Sequence, residues 1–123
     1  MPREVSNEGS VTLHRKADGP PAATALDQEV EFVDADFVRI GTELACWEMI
    51  RGGTTTFVDM YYYPDVIASV VESCGLRAYI SATVIDQRSP DAENAADSVT
   101  KGRSFIERWK GSERNPRITP IFG

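Results

Sequence analysis

Four side chains in this sequence stand where a strand gives way to a loop and have types suited to holding a polar ligand: Asp59, Tyr61, Asp86 and Arg88. A carboxylate at such a position orients a ligand or a neighbouring loop. A guanidinium meets an anionic group, and a phenol offers both a stacking face for a flat ring and a hydroxyl. Each residue also has a plainer account. Asp59 can cap the turn before Pro64, Tyr61 belongs to a Tyr61–Tyr63 run that can alternate between core and surface, and Asp86, Gln87 and Arg88 can form a solvated loop before Pro90. No residue qualifies as catalytic or as a metal ligand. His14 is the single histidine, and one histidine cannot build a three- or four-ligand zinc site without several carboxylates or thiolates around it. No Ser-His-Asp or Cys-His set can be assembled either. The glycines of "RGGTTT" precede a strand and close a helix, whereas phosphate loops follow a strand and open a helix. Glu48 and Glu72 read as helix-surface or helix-packing carboxylates.

The elements that must position these residues alternate. Residues 1–30 are polar and broken by Gly19, Pro20 and Pro21, which predicts a loose arm. From Asp36, the residues Phe37, Ile40, Leu44, Trp47 and Ile50 recur at helical spacing, with Asp36 as the expected N-cap and Gly52 as the expected C-cap. "TTTFVDM" is β-branched and aromatic, and reads as a strand. "PDVIASVVESCG" predicts a helix ended by Gly75. "LRAYISATVID" predicts a strand buried on both faces. "PDAENAADSVTKGRSFIERWKG" predicts a helix with an apolar stripe of Ala95, Val99, Ile106 and Trp109, and "RITPIFG" predicts a third strand despite Pro120. Strands alternating with helices imply βαβ crossovers and a parallel sheet. The expected class is therefore α/β over residues 31–123, and because three strands are too few to close a (β/α)8 barrel, either the neighbours come from another chain or this is part of a larger domain.

Composition narrows the function. With 19 acidic and 13 basic residues among 123, the chain carries a formal charge of -6. Such a surface repels phosphate backbones and anionic lipids, which argues against nucleic-acid and membrane partners. No apolar run approaches membrane-spanning length and "MPREVSNEGS" has no signal-peptide core, so a cytoplasmic location is expected. Cys46 and Cys74 form no metal-type spacing and read as buried free thiols.

The segment "ELACWEMIRGGTTTFVDMYYYPD" resembles the cytosine-deaminase-like branch of the metal-dependent amidohydrolase superfamily, which includes triazine hydrolases and adenosylhomocysteine or methylthioadenosine deaminases. The shape is carried by Ala45, Glu48, Met49, Arg51, Gly53, Thr54, Thr55, Thr56, Phe57, Asp59, Met60 and Tyr61. It continues through "GLRAYISATVID" to "RITPIFG". The resemblance implies a (β/α)8 barrel that uses zinc or another divalent metal to turn water into hydroxide for attack on a carbon–nitrogen or carbon–halogen centre. It also implies a nitrogen heterocycle as substrate. Family members hold the metal through a His-x-His pair, two later histidines and a late aspartate. Aligning "GSVTLHRKADGPP" with the segment that follows that pair puts Ser6 and Glu8 at the two ligand positions, where neither is histidine. The next histidine-bearing segment, "PHAPYT"-like, is expected beyond Gly123.

The first expectation is an incomplete hydrolase of non-peptide carbon–nitrogen bonds, a deaminase or chlorohydrolase by descent, inactive alone and without its own metal. Self-association or a complementary barrel segment would cover its open sheet. The second expectation is a non-catalytic α/β remnant serving as a binding or assembly module. A small nucleotide-binding α/β domain is a third reading, opposed by the misplaced glycines.

Overall fold

The computed structural model describes residues 24–111 and 116–123. His14, Ser6, Glu8 and most of the expected polar arm lie outside the described residues. The elements run α1 (Ala25–Phe32), α2 (Ala35–Gly52), β1 (Thr56–Tyr61), α3 (Pro64–Cys74), β2 (Arg77–Ala82), α4 (Ala95–Trp109) and β3 (Ile118–Phe122). The three strands form a parallel sheet in the order β1-β2-β3, each crossover made by a helix. No helix among the described residues is long and apolar enough to cross a membrane.

Helix α1 corrects the sequence expectation, which ended the arm at residue 30. Thr24 and Asp27 form a capping box. The Asp27 N–H donates to Thr24 Oγ1 at 3.2 Å, and the Thr24 N–H donates back to the Asp27 carboxylate at 2.8 Å. Two otherwise orphaned amides are thereby satisfied, which starts a helix of eight residues that has no buried side chain of its own.

The N-cap of helix α2 lies two residues before the expected one. Asp34 is extended and accepts from the Phe37 N–H at 2.8 Å, so Asp36 falls in the first turn and pairs with Arg39 instead. At the other end Gly53, not Gly52, takes the left-handed conformation, with φ 82°. Its N–H reaches back to the last carbonyls, the geometry in which glycine stops a helix without strain. Helix α3 opens with Pro64, whose missing N–H costs nothing at the first helical position.

Helices α3 and α4 pack on one face of the sheet and α2 packs against α3, and the core lies between the helices and that face. Phe105, Ile67, Ile80 and Val71 are its most enclosed large side chains. In α4 the side chains that turn fully inward are Ser98, Gly102 and Phe105, while the expected stripe of Ala95, Val99, Ile106 and Trp109 is half-buried beside them. Gly102 sits against β3 so closely that an added Cβ would fall 2.6 Å from the Phe122 ring. Small residues at this level let the helix approach the sheet.

The other face is open. Val58 is 69% exposed, Met60 62% and Tyr79 45%, whereas Ile80 on the covered face is fully buried. The parallel register pairs Val58 with Tyr79 and Met60 with Ser81, so these residues share one surface. Strand β2 is accordingly not buried on both faces along its length: Arg77 and Tyr79 are exposed. The helical stripe Phe37, Ile40, Leu44, Trp47 and Ile50 of α2 is also more than half exposed, while Val38 and Cys46 turn inward. Helical spacing makes these five side chains one exposed face, with the Arg51 guanidinium 4.7 Å from the centre of the Trp47 ring.

Pro120 is accommodated because β3 is an edge. Gly123 donates to Ala82 O and accepts from the Val84 N–H, and Arg117 O accepts from the Ala78 N–H. In a parallel ladder alternate residues face one neighbour. Residues 117 and 123 therefore face β2, and the nitrogen of Pro120 faces the edge.

Candidate functional site

In α/β folds ligands gather at the carboxyl ends of the parallel strands. Here that end carries Tyr61–Tyr63 after β1, residues 83–94 after β2, and Gly123 after β3. Helix α1 packs onto it. The Tyr61 hydroxyl donates to Glu29 Oε1 at 3.2 Å and the Tyr62 hydroxyl to Glu29 Oε2 at 3.0 Å. Burial, reinforced by the acceptor carboxylate of Glu29, pushes the Tyr62 phenol up to about 12. Near neutrality it is thus a fixed donor rather than a proton acceptor.

Tyr63 completes the turn with a left-handed backbone, φ 58°, which is uncommon outside glycine and asparagine. The conformation is held from both ends. Its N–H donates to Asp91 Oδ2 at 2.8 Å, and its hydroxyl donates to Pro90 O at 2.7 Å. Asp91 also accepts from Ser89 Oγ at 3.0 Å, and its carbonyl accepts from Lys101 Nζ at 2.7 Å. Thus the tyrosine run ties three pieces of chain to one strand end: α1, the loop after β2, and the first turns of α4.

The four residues singled out by sequence do not converge. Asp59 and Tyr61 are two apart on β1, so both point to the helix side, with Phe57. There they line a cavity of about 240 Å³ beneath α2, with Val38, Thr42 and Met49. Burial raises the Asp59 carboxyl above its ordinary range, opposed by a hydrogen bond from the Met60 backbone. Asp86 and Arg88 are exposed in the loop after β2. Arg88 pairs with Glu93 at 3.5 Å and borders a second cavity of about 280 Å³, formed with Thr24, Leu26, Val30 and Gln87.

Two groups of this region escaped the sequence reading. Glu29 falls within the stretch expected to be a loose arm, although the Thr24-x-x-Asp27 capping pattern marks a helix there. Ser81 lies on the open face of the sheet, 2% exposed, and its Oγ has no hydrogen-bond partner among the described residues. It is enclosed by Met60 and Gly123, where an added Cβ would meet Ser81 Oγ at 2.2 Å. No run of local sequence distinguishes such a hydroxyl from other strand serines.

The described residues do not fit a catalytic zinc. No group of three His, Cys, Asp or Glu side chains among the described residues is placed to hold a metal ion. Asp59 faces away from the open surface, and Asp86 stands apart from it in the loop after β2.

Residues 9–123 match the amidohydrolase family. The chain is 34% identical over 122 residues to a 5'-deoxyadenosine deaminase of Methanococcoides burtonii, covering 96% of this chain and 27% of that protein. It is 40% identical over 86 residues to a 5-methylthioadenosine/S-adenosylhomocysteine deaminase of Thermodesulfovibrio yellowstonii, covering 70% and 20%. An adenosine deaminase from Xanthomonas campestris, solved with bound zinc, superposes with a TM-score of 0.71 at 32% identity, covering 76% of this chain and 21% of that one. The chain thus spans about a fifth to a quarter of the proteins it matches.

Proposed function

Because the chain belongs to the amidohydrolase family, a family of metal-dependent hydrolases whose relatives here are deaminases, we propose that it supplies three consecutive strand–helix units of a (β/α)8 barrel. The barrel they build would hydrolyse a carbon–nitrogen bond of a small nitrogen heterocycle, of the adenosine type named for its relatives.

One observation carries this reading: the sheet is finished on its helix side and bare on the other. Ile80 is fully buried while Val58, Met60 and Tyr79, one register step away, stand open. A closed barrel has this asymmetry, since its interior face meets the opposite strands and its exterior face meets helices. The α2 stripe is the matching exterior seam. Covering its five half-exposed side chains returns on the order of 1 kcal/mol each, enough to drive docking of a neighbouring unit.

In this reading the chain contributes scaffold and part of the mouth, not the metal ligands. Asp59 and Tyr61 act from behind the strand, Tyr61 through Glu29 and α1. Asp86 and Arg88 stand on the loop nearest the mouth, where Arg88 can meet a polar group of the substrate. Ser81 is the hydroxyl that the sheet presents to the interior. An assembly module without catalysis uses the same bare surfaces, so the test must separate the two.

The experiment pairs this chain with the Methanococcoides burtonii relative deleted for the matching region, co-expressed with added zinc. The proposed function predicts ammonia release from 5'-deoxyadenosine and retained zinc in the complex. A stable complex that neither binds zinc nor releases ammonia would leave the assembly module as the better reading.

A further inference from the structure

The cavity of about 240 Å³ beneath α2 is walled by Phe37, Thr42 and Met49 from the helix and by Phe57, Asp59 and Tyr61 from β1. Phe37 and Gly41 on its wall are exposed, so a solute can reach it from solvent. Its polar side chains share one property: the hydroxyls have no hydrogen left to give. Thr42 donates its own to Val38 O at 2.7 Å, and Tyr61 donates its own to Glu29 Oε1 at 3.2 Å. Asp59 adds a carboxylate, and among the described residues no Lys or Arg pairs with it. Burial lifts that carboxyl above its ordinary range, the cost of placing a charge in an apolar wall with no cation beside it.

We propose that the cavity between α2 and β1 binds a small apolar primary amine in its ammonium form, with the ammonium on the Asp59 carboxylate. A wall whose polar side chains only accept, and whose one charge is negative, selects a cation that donates. Aromatic side chains favour the same sign of charge, and Phe37, Phe57 and Tyr61 supply three. Met49 and Phe57 leave a largely apolar remainder, which suits a short hydrocarbon body and not a hydrated metal ion. An anion meets the carboxylate with no donor side chain to offset it and is excluded. The cavity lies on the helix side of β1, with Asp59 turned opposite to Val58 and Met60. It is therefore separate from the bare face of the sheet and does not depend on what covers that face.

The test adds benzylammonium to the full chain at neutral pH and follows amide NMR shifts, with benzyl alcohol as the uncharged ligand of similar shape. Expected is saturable binding of benzylammonium with a Kd of about 1 mM or below, the affinity within reach of so small a ligand. The shifts should centre on the amides of Gly41, Thr42, Phe57 and Asp59. Benzyl alcohol should bind about tenfold more weakly, the difference one charge-assisted hydrogen bond makes. Asp59→Asn should abolish that preference and leave the two ligands bound alike. Gly41→Leu should weaken both, because a Cβ at Gly41 meets nothing within 4 Å, so a larger side chain is accommodated at the wall and narrows the cavity. Equal affinity of the wild type for the two ligands would overturn the proposal, as would an absence of saturation or shifts centred away from the cavity. The wild-type comparison decides the matter by itself, so a variant that fails to fold does not shelter the proposal.

Discussion

The Tyr62 hydroxyl donates to the Glu29 carboxylate at 3.0 Å across 33 residues of chain, and this contact holds α1 against the carboxyl end of β1. Helix α1 buries no residue of its own, so its position depends on such tethers more than on packing. Glu29→Ala removes the acceptor from a buried phenol and should cost about 1–3 kcal/mol. Urea denaturation measures the loss, and hydrogen exchange should show α1 amides losing protection before those of α3. Equal loss in both helices would contradict the tether.

Asp59 should make stability depend on acid in an unusual direction. Burial raises its folded-state pKa above the ordinary carboxyl value of 3.8, so in the window above 3.8 the folded chain holds more protons than the unfolded one. Stability from this group is full below the unfolded value and falls as pH rises through the folded one. Asp59→Asn should therefore be more stable than the wild type near neutrality, with the difference vanishing well below pH 3.8. Thermal melts of both proteins across that range measure it, and a constant difference would contradict the assignment.

The exposed stripe of α2 should behave oppositely in the isolated chain and in an assembled barrel. Leu44 is 56% exposed, so Leu44→Glu should change the stability of the chain alone by no more than about 0.5 kcal/mol while reducing its self-association. In the reconstituted barrel the same charge lies at the seam and should weaken assembly about tenfold or more. Sedimentation measures both, and an unaffected assembly would place the seam elsewhere.

Element order was legible because its signals are local. Gly75 and Pro64 bound α3, and the β-branched run before Asp59 marks β1. What escaped was the side each face turns to. Spacing shows that Phe37, Ile40, Leu44, Trp47 and Ile50 share a face of α2, yet a stripe made to meet a neighbour looks the same as one that meets its own core. For the site, the strand period was informative and went unused: Asp59 and Tyr61 alternate with the open residues Val58 and Met60, which sends both to the helix side. The Glu29 tether and the unpartnered Ser81 hydroxyl depend on contacts distant in sequence, for which no local pattern exists.

The account rests on the bare face of the sheet being the interior of a barrel, and oxidative footprinting of Met60 tests this most directly. Met60 is 62% exposed on that face, while Met49 sits half-buried on the helix side and serves as the internal reference. With the complementary barrel segment bound, Met60 should become protected while Met49 labels as before. If Met60 labels equally fast in the complex and in the chain alone, the bare face is not the barrel interior and the proposed function fails with it.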